Sequence, residues 1–403
     1  MVSYALARPA SESLFLTHWG SEALPQVWIA VAFTAVVVGG VYSRFAARVG
    51  LTRLYGAVGL ITAAALAALQ LGRGLAPDAA TFALYVWKDV YIVVLVEIFW
   101  TVANTSFQLK TARWIYGLFC VMGSLGGMTG NLLVGELADR FGTEQAVWGV
   151  VPLLGLSWLS GALLGPPDVL SGGPGSAPGK AKASLFAGLK VLRESPYLIW
   201  LLALIASVQV VITLVDYSYN AALEVAYVDT DARTRVIGQI YFAIDAVSMG
   251  LQMMTGPILK VVGVPLTLIG VPLLLSTAVG GYMLIPRFLS MAVAKVASKA
   301  LDYSLFRAAK ELLYLPLSYE EKTQGKAFVD IMTYRVAKGG ASLLLMALVA
   351  LEMTDMVTTL CLVGGVVWLG LTLVVVQRYR VMALLQTRRA QNASDSEGEH
   401  GSQ

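Results

Sequence analysis

The sequence contains few of the residues on which metal centres, disulfides and nucleophilic catalysis depend. Of its 403 residues, two are cysteine and two are histidine. Cys120 and Cys361 both fall inside apolar runs, which argues against a disulfide framework or a CxxC metal site. His18 and His400 are isolated, so histidine-based metal or triad chemistry has no support. No acid–base pair recurs with catalytic spacing, and we therefore predict neither an enzyme nor a bound cofactor.

Charged residues are also scarce. They make up 13% of the chain against 57% hydrophobic residues, and the mean hydropathy is +0.71. Soluble domains are roughly a quarter charged, whereas this chain repeats apolar runs of about 20 residues, the length that crosses a bilayer. The sequence therefore predicts an all-α membrane protein with twelve transmembrane helices, in the ranges 2–19, 25–43, 51–73, 80–108, 115–138, 145–165, 197–222, 235–260, 263–285, 288–315, 327–351 and 356–377.

A stretch rich in Gly, Pro, Ser and Ala, PPDVLSGGPGSAPGKAKAS, divides the predicted spans into two sets of six. This composition is typical of a flexible linker. The expected organisation is an N-terminal six-helix half, a cytoplasmic linker, a C-terminal six-helix half and a cytoplasmic tail, at residues 1–165, 166–196, 197–377 and 378–403. The tail reads as a basic membrane-surface segment followed by disordered polar sequence.

The two halves contain a similar stretch that runs from a glutamate to a glycine. Glu97 lies 29 residues before Gly126, and Glu311 lies 28 residues before Gly339. The offset of 214 residues between the glutamates matches half of the span count. Two six-helix halves related by an axis normal to the membrane are typical of the major facilitator fold, in which the substrate site lies between the halves near the midplane.

The placement of cations in short loops predicts the orientation. With both termini in the cytoplasm, sixteen Lys and Arg residues lie on the cytoplasmic side and five lie outside. We therefore predict a multi-pass protein of the cell inner membrane, in contact with lipid, with both termini cytoplasmic. The net charge of +4 requires no nucleic-acid partner, because the topology already accounts for the basic residues.

The run from residue 299 to 338 concentrates charge within apolar surroundings, with twelve of the chain's 54 charged residues. An ionised side chain at bilayer depth costs at least ~2.5 kcal/mol and is expected to face a bundle interior or a water-filled cavity. The spacing of Lys295, Lys299 and Asp302 places them on one helix face. We expect a polar passage lined from this run by Lys299, Asp302, Lys310, Glu311, Asp330, Arg335 and Lys338.

Between the two helices of this run, Pro316 is predicted to end the first, and SYEEKTQGK to form a charged turn in which Gly325 supplies conformational freedom. For the turn residues Glu320, Glu321, Lys322 and Lys326, the alternative is that they are simply solvated.

Polar residues also recur at helical spacing in three other spans. The stripes are Glu97, Thr101, Asn104 and Gln108 in span four, Gln209, Thr213, Asp216 and Asn220 in span seven, and Tyr241, Asp245, Ser248 and Gln252 in span eight. These faces fit a shared cavity, but interhelical hydrogen bonding is an alternative for the amides and hydroxyls. In span one, Arg8 and Glu12 can pair at i, i+4 in a polar, cavity-facing helix; a start upstream of Met1 is the alternative.

Several of these stretches resemble the nucleotide transporters of intracellular bacteria and plastids, the ATP/ADP antiporters. The resemblance is carried by DYSLFRAAKELLYLPL (302–317), GKAFVDIMTYRVAKGGAS (325–342), ARWIYGLF (112–119), ITLVDYSYN (212–220) and ALARPASESLFL (5–16), and by Glu97 with Phe99, Trp100, Ala103 and Asn104. The chain departs from the family where Ser11 and Asn220 stand, because the family has lysine at both positions. The resemblance implies exchange of a nucleotide, with ATP itself in question because two cations are missing.

We therefore expect a secondary transporter of an anionic, nucleotide-like solute that works by alternating access. Lys338, Arg335 and Arg8 are the expected anion contacts, and Glu97, Asp216, Asp302 and Glu311 are the expected gating partners of those cations. Glycines 126, 127, 339 and 340 are expected to permit close contact of the halves. The alternatives are a proton-coupled efflux carrier of amphiphilic compounds and a non-transporting membrane sensor or assembly protein.

Overall fold

The computed structural model describes residues 1–46, 51–106, 109–163 and 185–400. Every regular element in these ranges is a helix. The α-helices are α1 (Val2–Trp19), α2 (Leu24–Ala46), α3 (Leu51–Gly72), α4 (Pro77–Ser106), α5 (Leu109–Phe141), α6 (Thr143–Trp148), α7 (Val150–Leu163), α8 (Leu185–Glu194), α9 (Pro196–Ala226), α10 (Thr230–Val261), α11 (Val264–Leu284), α12 (Phe288–Leu301), α13 (Arg307–Leu313), α14 (Lys326–Met332), α15 (Lys338–Ala350) and α16 (Met356–His400). A 3₁₀ turn occupies Ser21–Ala23, and π-helical turns occupy Asp302–Phe306, Glu321–Gly325 and Thr333–Ala337.

Long apolar sequence accounts for most of this architecture. Seven of the described helices are long and apolar enough to cross a membrane, at Ser21–Tyr42, Leu54–Gly72, Ile115–Phe141, Pro196–Ala226, Thr230–Val261, Val264–Leu284 and Met356–Met382. Within a bilayer, a helix satisfies its own backbone hydrogen bonds, which is why apolar sequence of this length adopts it. The prediction of an all-α membrane protein is confirmed.

Three segments differ from their predicted form. The sixth predicted span is broken at Gly149 into α6 and α7. Helix α8 occupies the end of the predicted cytoplasmic linker, after the Gly- and Pro-rich stretch that was predicted to be flexible, and residues 164–184 lie outside the described part of the chain. Helix α16 continues to His400, through residues for which the composition predicts disorder.

The turn of the charged hairpin comes earlier than predicted. Helix α13 ends at Leu313, and the chain turns between Tyr314 and Leu317. The next helix starts directly after Ser318, whose backbone N–H donates to Glu321 Oε2 at 2.9 Å while the Glu321 N–H donates to Ser318 Oγ at 3.4 Å. This reciprocal pair is a capping box. The predicted turn is therefore wrong beyond Ser318, because the sequence there begins a helix.

Glycine permits close packing at some of the predicted positions only. A Cβ added to Gly127 of α5 would lie 2.8 Å from Asp245 Oδ2 of α10. Among the described residues, no atom of a neighbouring helix lies within 4 Å of such a Cβ at Gly339 or Gly340, so the expected close contact is not made there in this conformation. Gly325 has an ordinary helical φ of −62°, and its Cβ would lie 2.6 Å from Leu198 Cδ1. The position of Gly325 requires small size rather than conformational freedom.

The helices form two groups on either side of the linker, α1–α7 (the N-terminal group) and α8–α16 (the C-terminal group). Helix α1 packs against α4 and α5 in its own group, and α9 packs against α12, α15 and α16 in the other. The groups meet mainly where α10 contacts α5 and α1, and where α15 contacts α2. The candidate site lies between the two groups, where residues of α4, α9, α12, α13 and α15 come together.

Candidate functional site

A cavity of about 610 Å³ is lined by residues of both groups. The N-terminal group supplies Met1 and Val93. Among the described residues, the C-terminal group supplies the rest of the wall, namely Ile205, Gln209, Ile212, Thr213, Asp216, Lys299, Asp302, Tyr303, Phe306, Arg307, Lys310 and Lys338. Six of these side chains are charged, and all six belong to the C-terminal group. Five of the twelve site residues that the sequence predicts are among them, namely Asp216, Lys299, Asp302, Lys310 and Lys338.

Asp216 of α9 holds two lysines beside the cavity. Its Oδ1 accepts a hydrogen bond from Lys295 Nζ, and its Oδ2 accepts one from Lys299 Nζ, both at 2.8 Å. The two lysines lie one turn apart on α12, so one carboxylate reaches both. Lys295 is buried, and its Nζ lies 4.9 Å from the centre of the Tyr219 ring. Lys299 lines the cavity and is therefore the cation of this group that a bound anion would reach.

Two further ion pairs connect the helices of the charged hairpin. Lys310 Nζ donates to Asp330 Oδ1 at 3.1 Å, and only Lys310 of this pair lines the cavity. Glu311 is exposed and pairs with Lys326 of α14. The simple solvation considered for Lys326 is therefore wrong, because Glu311 holds it. Both pairs therefore join α13 to α14, and of their four side chains only Lys310 lines the cavity.

Lys338 connects the cavity to the N-terminal group. It opens α15, lines the cavity, and its Nζ lies 5.9 Å from the centre of the Trp28 ring of α2. A cation within about 6 Å of an indole ring is attracted by the ring's electron density. Lys338 therefore lies at the boundary between the two groups.

A second charged cluster lies in the N-terminal group, around Glu12 of α1. Arg8 approaches Glu12 at 3.4 Å, which confirms the predicted pair, and Lys88 of α4 approaches it at 3.6 Å. Lys88 also lies 2.9 Å from Asp89. The hydroxyl of Tyr241, from α10, donates to Glu12 Oε2 at 2.8 Å, and the Arg8 guanidinium carbon lies 3.5 Å from the centre of the Tyr241 ring. None of the four charged side chains in this cluster is among the residues that line the cavity.

Several predicted site residues lie outside the cavity wall. Glu97 is exposed, one turn beyond Val93 on the same face of α4. Asn104 is also exposed and accepts a hydrogen bond from the Tyr116 hydroxyl at 2.6 Å. Asn220 is buried and donates to the Asp216 backbone carbonyl of its own helix at 2.7 Å. In the described conformation these three residues are not among those that line the cavity. Helical periodicity gives a face but does not say which neighbour that face meets.

The remaining predicted residues have different outcomes. Arg8, Glu311 and Asp330 make the ion pairs described above but are absent from the cavity wall. The side chain of Arg335 lies outside the described residues. On α10, Asp245 faces α5, where it accepts a hydrogen bond from Asn131 Nδ2 at 3.0 Å. The span-eight stripe therefore includes packing between the two groups.

The two groups are closed against each other at the end of the molecule where α1 ends and α10 begins. Ser13 Oγ donates to the Thr230 carbonyl at 2.7 Å, and the Thr143 N–H donates to Asp231 Oδ1 at 2.6 Å. Arg233 is buried there, and its guanidinium donates to the carbonyls of Tyr227, Val228 and Ser13 at 2.8, 3.3 and 3.3 Å. The cavity extends along α9 from Asp216 to Ile205, which is the direction away from this closed end.

The residues that the sequence interpretation missed are Lys88, Asp89 and Arg307. Lys88 and Asp89 are adjacent charges in the middle of a long apolar run, and that position alone was a signal for a buried pair. Arg307 follows the π-helical turn Asp302–Phe306 and lines the cavity. Its face was not predictable, because a π turn adds a residue to the helical repeat and rotates every side chain that follows.

Comparison with known proteins identifies the family. A match to the TLC ATP/ADP transporter family covers residues 81–287 and 274–384, most of the chain. The chain belongs to this family. The ADP,ATP carrier protein 1 of Chlamydia pneumoniae, for example, is 23% identical over 348 residues, which cover 71% of this chain and 65% of that carrier. This TLC family member therefore spans just under two thirds of the length of that relative.

Solved structures with the same architecture are transporters. A bacterial homologue of the iron transporter ferroportin, in an inward-facing state, superposes with a TM-score of 0.62 at 13% identity, over 94% of this chain and 96% of that one. The nucleoside transporter NupG superposes with a TM-score of 0.60 at 12% identity, over 94% and 98% of the two chains. At these identities the likeness concerns the fold alone, which this TLC family member shares with those two structures.

Proposed function

We propose that this protein exchanges an anionic, nucleotide-like solute across the membrane by alternating access, as an ATP/ADP antiporter-like secondary transporter. The observation that carries the proposal is the cavity wall, where four cations, Lys299, Arg307, Lys310 and Lys338, face one space of about 610 Å³. Pockets of roughly 300–1,000 Å³ suit small organic ligands. Cations on the wall attract a phosphorylated ligand through charge-assisted hydrogen bonds.

We further propose twelve membrane crossings in two six-helix halves, residues 1–165 and 197–377, joined by a cytoplasmic linker over 166–196 and followed by a cytoplasmic tail. The seven long apolar helices supply seven crossings. Helices α1, α4, α6–α7, α12–α13 and α14–α15 would supply the other five, although they are shorter, broken or more charged. The cation asymmetry of the loops supports cytoplasmic termini and an inner-membrane location. In that orientation the described cavity is open to the cytoplasm.

In the empty site, Asp216 would act as the placeholder for the substrate. Its two oxygen atoms hold Lys295 and Lys299 at 2.8 Å. An incoming phosphate would compete for Lys299 while Lys295 stays on Asp216. Lys310 would be shared in the same way between the substrate and Asp330. Arg335 and Lys338 would complete the anion contacts. Arg8 contacts Glu12 and Tyr241 instead of lining the cavity, and it would act on the site only indirectly.

Alternating access would open the closed end and close the cavity mouth. The closed end is held by hydrogen bonds between the two groups, with Ser13 and Thr143 in one group and Thr230 and Asp231 in the other. Hydrogen bonds of this kind each contribute about 1 kcal/mol net, so a few of them can be exchanged for others at the opposite end. The proposed activity is transport without catalysis, in contact with lipid and without a nucleic-acid partner.

The experiment is counterflow in proteoliposomes that contain the purified full chain. We expect saturable uptake of labelled AMP, ADP or ATP that depends on unlabelled nucleotide inside the vesicles. Asp216→Asn should weaken exchange, because Lys295 and Lys299 lose their shared partner. Absence of saturable uptake of every nucleotide and of inorganic phosphate would overturn the proposal. Uptake driven by a pH gradient without internal nucleotide would instead indicate a proton-coupled carrier.

A further inference from the structure

One carboxyl group lies in the contact between the two groups without a cation beside it. Asp245 is near the middle of α10 (Thr230–Val261), a helix that is long and apolar enough to cross a membrane, and it faces α5 of the N-terminal group. Among the described residues, no cationic nitrogen lies within 4.0 Å of its oxygen atoms. An ionised carboxylate at this depth is costly unless it is paired, so an unpaired one indicates a function.

Two residues of α5 form the pocket that holds this carboxyl group. Asn131 Nδ2 donates to Asp245 Oδ2 at 3.0 Å, and a Cβ added to Gly127 would lie 2.8 Å from the same oxygen atom. Glycine at position 127 therefore leaves the room that the carboxyl group fills. Asp245 is partly buried in this contact and is not among the residues that line the described cavity. Its role is therefore separate from that of the cations on the cavity wall.

The amide of Asn131 indicates what this pocket binds. Its side chain is 4% exposed, and its Oδ1 is buried without a hydrogen-bond donor among the described residues. A carboxamide and a carboxylic acid are complementary, because the amide N–H donates to an acid oxygen while the acid O–H can donate to the amide oxygen. An ionised carboxylate has no hydrogen to donate. A proton on Asp245 would therefore supply a donor for the unsatisfied Oδ1 and remove the cost of a charge held away from water.

The cations on the other helices around Asp245 are held by other carboxylates. Helix α10 also packs against α1, α12 and the π-helical turn that follows α12. Arg8 of α1 is close enough to act on Asp245, but it lies 3.4 Å from Glu12. Lys295 of α12 is held by Asp216 at 2.8 Å. The titratable groups that these three elements bring toward α10 are Arg8, Glu12, Lys295, Asp302 and Tyr303. Neither of the two cations takes the place of a proton on Asp245.

The contact around Asp245 belongs to the same interface as the closed end. From that end inward, the contacts of α10 with α5 and α6 include Thr143 N–H with Asp231 Oδ1 at 2.6 Å, Asp139 with Arg235 at 2.8 Å, and Asn131 with Asp245 at 3.0 Å. The three contacts lie along one side of α10. A separation of the helices that opens the closed end and reaches this depth must therefore also part Asp245 from Asn131 and admit water to the carboxyl group.

We propose that Asp245 is a proton-binding site whose occupancy couples the packing of the two groups to pH. When α5 and α10 pack as described, the Asp245 carboxylate takes up one proton from water and forms an O–H bond. When the helices separate, that bond breaks and the proton returns to water, and no other bond changes. Acid therefore favours the described conformation. This inference goes beyond the proposed function, because it adds a proton to the cycle and does not depend on the identity of the substrate.

The test follows the closed end of the detergent-purified full chain with pH, by pulsed electron paramagnetic resonance. Spin labels on Phe141→Cys and Val228→Cys, in a Cys120→Ser background, report the distance across the closed end, because both positions are exposed and belong to different groups. In this labelled parent, the ratio of closed to open populations should fall by up to about tenfold per pH unit as one proton is released. Asp245→Asn has a neutral side chain of the same shape and should keep the closed population high from about pH 5.5 to about pH 8.5.

A second variant tests the inference even where Asp245→Asn fails to fold. Asn131→Asp places another carboxylate beside Asp245, and two carboxylates that share a site hold a proton more tightly than one does. The pH at which half of the closed population is lost should therefore rise by about one unit or more. The matched control is Glu136→Gln, which removes an exposed carboxylate of α5 that pairs with Arg140 of the same helix. This control should keep the midpoint of the labelled parent.

The outcomes separate this inference from the proposed function. If the distance in the labelled parent does not change with pH, the inference is overturned, and nucleotide exchange remains a matter for counterflow. A pH dependence that persists in Asp245→Asn would also overturn it, because another group would then be responsible, such as Asp302 or His18, which pairs with Asp78 inside the N-terminal group. A midpoint that moves as far in Glu136→Gln as in Asn131→Asp would overturn it as well. Failure of counterflow alone would overturn the proposed function and leave the proton site standing.

Discussion

The N-terminal and C-terminal groups use the same types of charged side chain for different purposes. In the N-terminal group, the side chain of Lys88 is 1% exposed and lies within 3.6 Å of both Glu12 and Asp89. In the C-terminal group, Lys299 is 13% exposed, lies 2.8 Å from Asp216 and faces the cavity. Lys88 is enclosed by carboxylates, whereas Lys299 can be reached by a ligand in the cavity. A charge at bilayer depth therefore belongs to the substrate site only where its neighbours leave it facing the cavity.

The largest expected effect comes from breaking the enclosed cluster. Lys88→Met leaves Glu12 and Asp89 without their shared cation, and removal of one partner from a buried ion pair costs about 3–5 kcal/mol. We expect a loss of about 3 kcal/mol in the free energy of unfolding, measured by denaturant titration in detergent. The matched control is Lys190→Met, in an exposed pair with Glu194 that should contribute at most ~1 kcal/mol. Equal losses in the two variants would contradict the distinction between the groups.

The next effect concerns binding rather than stability. Lys299→Gln removes a cation from the cavity wall, and the loss of one charge-assisted contact should weaken nucleotide binding about ten- to a hundredfold. Stability should change little, because Lys295 remains on Asp216. Titration calorimetry measures nucleotide binding, and counterflow measures exchange. The control is Lys326→Gln, because Lys326 lies outside the cavity wall. A variant that loses stability but keeps its affinity would reverse the assignment of Lys299.

A smaller effect is expected where the two groups meet at the closed end. Arg233→Lys keeps the charge but removes the fork of donors that reaches the carbonyls of Tyr227, Val228 and Ser13. We expect a loss of about 1–2 kcal/mol in unfolding free energy. The rate of exchange should rise if opening of this end limits transport, and a time course of counterflow measures that rate. An unchanged melting temperature would show that Arg233 does not hold the two groups together.

The smallest effect is that of the helix cap in the charged hairpin. Partial burial of Glu321 opposes its charge, but hydrogen bonds from Ser195 and from Ser318 outweigh this and lower the pKa of its carboxyl. The resulting stability is present above the usual carboxyl pKa and is lost as the pH falls through the lowered value. We therefore expect Glu321→Gln to lower the free energy of unfolding by about 0.5 kcal/mol at pH 7. The difference between this variant and wild type should shrink as the pH falls toward 4, and thermal unfolding at each pH measures it. A difference that grows on acidification would contradict this account.

Helical periodicity predicted much of the C-terminal site. Lys295 and Lys299 were placed on one face because they lie four residues apart, and the structure puts both on Asp216. Arg8 and Glu12 were predicted to pair for the same reason, and they do. Such pairs are predictable because they depend on the local geometry of one helix.

Contacts between distant helices were not predictable in this way. Glu12 meets Tyr241 across 229 residues of sequence, and Lys88 reaches Glu12 from α4. Glu97 and Glu311, counterparts in the two repeated stretches, were expected at the site but are exposed. A polar face on a helix shows that something polar must lie opposite, but the identity of that partner depends on how the helices pack.

The membrane class, the all-helical architecture and the positions of the apolar helices follow from the sequence alone, because a bilayer permits few other solutions for long apolar runs. The tertiary structure decided which charges neutralise one another. Packing places two carboxylates around Lys88 and two lysines on Asp216, and it leaves Asp302 without an ion-pair partner among the described residues. The physical reason is that side-chain charges interact over a few ångströms, and such distances between helices are set only when the helices have packed.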